Sequence, residues 1–337
     1  MRGAKINMIS AKTLEPNPKE ISFVEGFEKF IAYCRIKNLR EKTVKNYREN
    51  YSRFIAYVEN CTLLKYIGEL KQSHIDDYVF YLCNTKMKPS SVNTYLRGLR
   101  VIINFYIKNR YCEAVIIHMI KTDKSSKETY SDIELFKLLA KPNLTTCDFT
   151  EYRNWVIINF FIATGVRAST LIHIKIKDLD FQFDRITLEY TKTRQSYIIP
   201  MSYKIKTILL EYVKFRKGDD EDYLFCTQYG TQMLLDGLKH AISKYNRRRG
   251  VTKTGLHLFR HTFAKRTVMN GMNVFVLQKW LGHSDISVTQ EYVNLYTDDL
   301  AQNIQNINPL DTLIPFSASK KNKKKLVINE LKEKQGV

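Results

Sequence analysis

Residues 254–292 run TGLHLFRHTFAKRTVMNGMNVFVLQKWLGHSDISVTQEY. His257 and Arg260 stand three apart, a spacing that puts both on one face of a helix. Leu281-Gly282-His283-Ser284 opens a further helix, and Tyr292 follows nine residues after His283. The pattern predicts helices at about 258–270, 273–281 and 285–294. Each residue also has a plain structural reading. His257 and Arg260 fit a surface pair, His283 a capping histidine, and Tyr292 one of 21 tyrosines in a core.

Working back along the chain, a helix is expected from Asp132 to Ala140, capped by Ser131 or Asp132, and a strongly apolar one from Tyr152 to Thr164. Ala163-Thr-Gly-Val-Arg167 then places Arg167 in a turn, where a helix-end ion pair is its plain role. Ile172–Ile176, Leu179–Phe183, Arg185–Tyr190 and Ser196–Pro200 have β character, being rich in β-branched and aromatic residues. Thr191–Gln195 reads as a hairpin turn containing Lys192, a common residue in an exposed turn. Helices are expected again at about 202–215 and 232–248.

The N-terminal third reads as a separate helical module. Phe23, Phe27, Phe30, Ile31 and Cys34 recur at steps of three and four. Thr43–Val58 sets Val44, Tyr47, Tyr51, Phe54, Ile55 and Val58 against Lys45, Arg48 and Arg53. Ile75–Leu82 makes a third segment, and Ser91 to about Asn109 a fourth, after a turn at Lys88-Pro89-Ser90. The resulting fold class is mainly α with a small antiparallel β-sheet. The domains are a loose arm over 1–20, broken by Pro16 and Pro18, a helical module over 21–120, a polar linker over 121–130, a second domain over 131–310 and a basic tail over 311–337.

The 337 residues carry 54 Lys and Arg against 34 Asp and Glu, a formal net charge of +20. A chain so basic favours polyanions, with nucleic acid the leading partner. The 6 cysteines are scattered without a Cys-x-x-Cys pair, which is neither zinc-ligand spacing nor a disulfide framework. No apolar leader or membrane-length apolar run is visible, so a cytoplasmic protein is expected. Asp219-Asp220-Glu221-Asp222 is the one dense acidic run and reads as a solvated turn beside Lys217-Gly218, so no metal is expected.

Taken together, Arg167 in its Thr-Gly-x-Arg turn, Lys192 in a β-hairpin, His257-x-x-Arg260, Leu-Gly-His283 and Tyr292 form a recognisable set. The sequence resembles the tyrosine recombinase family, the phage-integrase and Xer-type enzymes, over about residues 21–310. The resemblance implies a two-domain architecture, a core-type DNA-binding module followed by a catalytic domain. It implies cleavage and rejoining of DNA strands, with Tyr292 as the nucleophile, a 3′-phosphotyrosyl intermediate and no cofactor. In that chemistry Arg167 and Arg260 stabilise charge on the nonbridging oxygens. Lys192 protonates the leaving 5′ oxygen, and His257 and His283 add hydrogen bonds or move protons, with His257 the acceptor of the tyrosine's proton. One departure stands out: the family's usual acid three residues after the first Arg is Thr170 here, so support for Arg167 has to come from elsewhere or activity is reduced.

The basic positions Lys42, Lys45, Arg48, Arg53, Arg97 and Arg100 in the first module, and Lys239, Lys244, Arg247, Arg248 and Arg249 in the second, are the candidate DNA contacts, closing on the duplex as a clamp and mostly touching phosphate. By resemblance the partners are double-stranded DNA with paired recombination sites and further copies of the chain, assembled as a tetramer on DNA through an exchanged C-terminal segment, with no membrane. Only about 20 residues precede the first helix, which leans towards the simpler Xer-like or transposon-type plan without an arm-binding domain. Usage rich in Lys, Ile and Asn fits an AT-rich bacterial genome, hence a nucleoid-associated setting. The rival readings are a type IB topoisomerase-like enzyme, a catalytically silent DNA-binding protein on the same fold, and a metal-dependent transposase, the last disfavoured by the lack of a carboxylate triad.

Overall fold

The computed structural model describes residues 20–123, 128–191 and 195–282. The chain divides into two compact units, 1–125 and 126–337. The fold is mostly helical with one small antiparallel sheet.

Among its described residues the first unit holds four α-helices: α1 (Phe23–Ile36), α2 (Glu41–Cys61), α3 (Gln72–Cys83) and α4 (Pro89–Lys108). Ser22 starts α1, its hydroxyl accepting the Glu25 amide, and Pro89 starts α4 at the first helical position, where its missing N–H costs nothing. The apolar stripes meet in a core built on Phe30, Phe54, Ile67, Leu82, Leu96, Ile103 and Tyr106, all nearly inaccessible to solvent. Two of its buried phenols are linked: Tyr106 donates to Tyr51 Oη at 3.0 Å, and Tyr51 donates to the Phe23 carbonyl at 2.6 Å. Where α2 crosses α4, the buried Asn50 amide fills the space that a Cβ on Gly98 would occupy, so the helices approach closely only because residue 98 is glycine. Asn93 then exchanges two bonds with the Ile120 backbone, N–H and C=O each at 2.9 Å, and so holds the chain leaving the bundle. Lys42, Lys45, Arg48, Arg53, Arg97 and Arg100 are all exposed on α2 and α4.

The second unit is organised around α6 (Phe149–Thr164). This largely apolar helix is buried on most of its sides and is packed by α5 (Asp132–Leu139), α8 (Tyr203–Arg216), α9 (Leu235–Arg248) and α10 (Leu256–Met269), as expected of a central helix. Val156, Ile157, Ile158 and Phe160 are fully buried in it. The rest of the unit is a short helix α7 (Ala168–Leu171), a three-stranded sheet β1 (Leu179–Asp180), β2 (Arg185–Leu188) and β3 (Tyr197–Pro200), and α11 (Val274–Leu281). In the sheet, β2 is central, with Leu179 opposite Ile186 and Leu188 opposite Tyr197.

Two strand expectations need correction. Ile172–Ile176 is not a strand: Ile172 caps α7, and Ile176–Asp178 is a 3₁₀ turn. Its β-like residues make only single links, Ile176 N to Asp222 O and Leu224 N to Ile174 O, too few for a ladder. Leu179–Phe183 is extended only to Asp180, because the Asp180 carboxylate accepts the Gln182 and Phe183 amides and turns the chain. The acidic run beside Lys217 is a clip on that segment, where Glu221 receives Lys175 and Lys177 at 2.7 Å each. The two lysines draw the Glu221 carboxyl down to about 2.

Candidate active site

The site begins at the end of α6. Gly165 closes that helix in the left-handed conformation (φ 63°), its N–H donating to Phe161 O. Other residues adopt that φ at a cost, and any Cβ there would overlap the Phe263 ring of α10. The sharp turn brings Arg167 out at the start of α7 and leaves two carbonyls facing neighbouring helices. Trp280 of α11 donates its indole N–H to Thr164 O at 3.0 Å. Arg260 of α10 donates Nη1 to Gly165 O at 2.8 Å.

The second bond of Arg260 sets the geometry. Its Nη2 donates to the carbonyl of Leu281 at 2.8 Å, and Nη1 of Arg167 reaches the same carbonyl at 3.4 Å. That oxygen is available because Gly282, left-handed at φ 60°, ends α11 directly after Leu281. A helix C-terminus carries partial negative charge and unpaired carbonyls, so it suits two cations. Arg260 is buried at 4% exposure and Arg167 is half-buried, so two fixed guanidinium forks lie side by side. No described carboxylate pairs with Arg167. Thr170, at 3% exposure, brings no charge, and the side-chain bond Arg167 makes among the described residues is the one to the Leu281 carbonyl. Paired guanidinia of this kind match the oxygens of a phosphate.

His257 lies in the first turn of α10, exposed, one turn before Arg260. His261 follows on the same face, with the two imidazole centroids 6.3 Å apart. The structure thus brings Arg167 and Arg260 together and sets His257 on the helix that carries Arg260. Lys192, His283 and Tyr292 lie outside the described residues. Their described flanks are ordered by specific bonds: Thr191 Oγ1 donates to Gln195 O at 2.7 Å across the hairpin, and Gly282 fixes the end of α11.

Two participants were not legible beforehand. One is the Leu281 carbonyl, a backbone group that no residue type announces. The other is Tyr197, which the sequence places merely in a strand. Its ring packs on Gly282, where a Cβ would stand 3.0 Å from the ring Cε1 and 3.3 Å from Oη. Burial pushes the Tyr197 phenol up, while Arg260 and Arg167 draw it partly back.

Among the basic candidates of this unit, Lys239, Lys244, Arg247 and Arg248 are exposed on or beside α9. Arg249 stands apart. Its guanidinium donates to Lys137 O at 3.1 Å and Ala140 O at 2.7 Å, pairs with Glu151 at 3.4 Å and stacks on Tyr245. It closes the end of α5 onto α9. In the first unit, Lys45, Arg48, Arg53 and Tyr95 share one shallow concavity, with the Arg53 guanidinium 4.3 Å above the Tyr95 ring centroid.

Two family models match in tandem: the phage integrase N-terminal SAM-like domain over residues 27–113, and the phage integrase family over residues 133–298. The chain belongs to the phage-integrase family of tyrosine recombinases. Among its relatives is the tyrosine recombinase XerD of Staphylococcus haemolyticus, 25% identical over 292 residues that cover 84% of this chain and 98% of that protein. The fold of the recombinase is also that of the Tn1549 transposon integrase solved with circular-intermediate DNA (TM-score 0.66, 20% identity, covering 85% of this chain and 100% of that one). It matches likewise the lambda integrase dimer solved on a COC′ core site (TM-score 0.64, 14% identity, covering 81% and 95%). Its two matched segments fall one in each compact unit, with Arg167, His257 and Arg260 in the second. No helix among the described residues of the recombinase is long and apolar enough to cross a membrane.

Proposed function

We propose that this recombinase cleaves and rejoins DNA at defined paired sites through a 3′-phosphotyrosyl link to Tyr292. The observation that carries the reading is the convergence of Arg167 and Arg260 on the Leu281 carbonyl, two residues before His283 and eleven before Tyr292. A scissile phosphate seated on the two guanidinium forks would have both nonbridging oxygens bonded, and those bonds strengthen as charge gathers there in the transition state.

Tyr292 Oη attacks phosphorus, and the bond to the 5′ oxygen breaks. His257 takes the phenol proton, whose ordinary pKa near 10 makes its removal necessary. Lys192 gives a proton to the departing 5′ oxygen, and His283 adds a hydrogen bond. The phosphodiester's free energy stays in the phosphotyrosyl bond. The 5′ hydroxyl of a second strand reverses the step, so the cycle consumes neither metal nor ATP. Lys42, Lys45, Arg48, Arg53, Arg97 and Arg100 in one unit, and Lys239, Lys244, Arg247 and Arg248 in the other, supply phosphate contacts. Arg249, engaged by α5, is left out of that set. DNA-bound integrases share the fold, which supports duplex DNA as the partner. A tetramer on paired sites in the bacterial cytoplasm is the working assembly.

The test is a nicked suicide duplex carrying the element's own ends, incubated in EDTA. A denaturation-resistant protein–DNA adduct in the wild type, absent in Tyr292→Phe, is the expected result. Cognate DNA bound without any adduct would mark a silent binding protein.

A further inference from the structure

Tyr197 is placed by two independent features of the recombinase. Its ring packs on Gly282 so closely that a Cβ there would stand 3.0–3.3 Å from the ring edge and hydroxyl, so residue 282 is glycine both for its left-handed φ and for the ring beside it. It also lies at the arginine pair, because Gly282 directly follows Leu281, whose carbonyl receives both Arg260 and Arg167. Its backbone is fixed by the sheet, through pairing with Leu188 in β2. The half-buried ring packs against the main core of the unit.

The hydroxyl end is the informative part. Three other buried phenols of this unit reach backbone carbonyls, Tyr130 that of Lys253, Tyr212 that of Leu224 and Tyr245 that of Leu138, while the buried Tyr152 hydroxyl reaches none. The Tyr197 hydroxyl has no such bond to any described residue. Two cations nearby cannot accept its proton, so the group is left with donor capacity beside a site that attracts an anion. Burial holds the phenol in its neutral, proton-bearing form despite the arginines.

We propose that Tyr197 is a further catalytic residue, whose hydroxyl donates a hydrogen bond to one nonbridging oxygen of the phosphate held by Arg167 and Arg260. This rests on the recombinase reading and adds to it a neutral third donor. Two guanidinia bind a phosphate by charge and share it with any other anion. A fixed hydroxyl on one side favours one of the two nonbridging oxygens, and so selects the orientation in which the phosphate lies.

Tyr197→Phe isolates the hydroxyl, since it keeps the ring that packs on Gly282 and removes no bond within the described protein. Single-turnover adduct formation is measured for wild type and variant on three suicide duplexes: the ordinary scissile phosphate, and each of its two phosphorothioate diastereomers. Sulfur accepts hydrogen bonds poorly. On the ordinary phosphate the variant is expected to be slower by about 10- to 100-fold, the cost of losing one donor to a developing oxyanion. DNA affinity and melting temperature stay unchanged. On one diastereomer the penalty collapses, because the acceptor oxygen has already been replaced, and on the other it persists. A variant as fast as wild type, or equally slowed on both diastereomers, overturns the proposal. Orthophosphate titrated against the two free proteins, and followed by melting temperature, reads the anion contact without any cleavage. Binding several-fold weaker in Tyr197→Phe supports the contact, and equal binding overturns it. A wild type that forms no adduct at all defeats the recombinase reading, while the orthophosphate comparison still decides the role of Tyr197.

Discussion

Trp280 donates its indole N–H to the carbonyl of Thr164 at 3.0 Å and lies with its ring 5.9 Å from that of Phe263. The bond ties α11 to the turn that carries Arg167, 116 residues earlier in the chain. With the Arg260 bonds to Gly165 and Leu281, it makes a three-helix joint from the ends of α6, α10 and α11. Trp280→Phe keeps the aromatic contact and removes the bond. Thermal or urea denaturation is expected to show a loss of about 1–2 kcal/mol. Adduct formation on suicide DNA should fall by more than DNA affinity does, because the change shifts the arginine pair and no DNA-facing group. Equal loss in both would place Trp280 outside the joint's work.

Arg260→Lys tests whether charge alone suffices. Lysine keeps the cation and cannot bridge Gly165 O and Leu281 O with two fixed N–H groups. Because Arg260 is buried, the substitution leaves at least one of those carbonyls without its donor. A stability loss of about 1–3 kcal/mol and a cleavage loss of about 100-fold or more are expected, with duplex affinity within a few-fold of wild type. Cleavage within a few-fold of wild type would mean that the forked geometry is dispensable.

Gly98→Ala probes the first unit. The new methyl meets the Asn50 amide, so α2 and α4 must separate or Asn50 must turn away. The cost expected is about 1–3 kcal/mol, read by denaturation of the whole chain. Adding Asn50→Ala removes the obstacle, and the double variant should be more stable than the sum of the single changes predicts. Simple additivity would show that Asn50 and Gly98 do not share that space.

Arg248 and Arg249 are neighbours with opposite expected behaviour. Arg248→Ala should leave the melting temperature unchanged, weaken DNA binding and reduce the slope of log affinity against log salt by about 1. Arg249→Ala removes bonds to Lys137 O and Ala140 O and the pair with Glu151, and should lower stability by about 1–3 kcal/mol while changing the salt slope little. The reverse pattern would reassign the two.

The residues 254–292 and the Thr-Gly-x-Arg turn disclosed the family by themselves, because spacing along a helix or turn is a local property. The helices followed from the same cause: apolar residues at steps of three and four in α1, α2 and α4 can be buried together only on one helical face. Local signals stop at contacts between distant segments. Ile172–Ile176 has β-forming residues and lacks a partner strand, so it stays a bridge and a turn. Nothing in the sequence separates Arg249 from Arg247 and Arg248, since what differs is the set of α5 carbonyls that folding brings to Arg249 alone. The same holds at the site. Its motifs named Arg167 and Arg260 from the chain, but their common anchor is a main-chain oxygen at the end of α11, and Tyr197 joins them only because β3 packs on Gly282. Side-chain identity is written in the sequence, whereas a backbone acceptor becomes available only where a helix ends against its neighbours, and tertiary packing alone decides that.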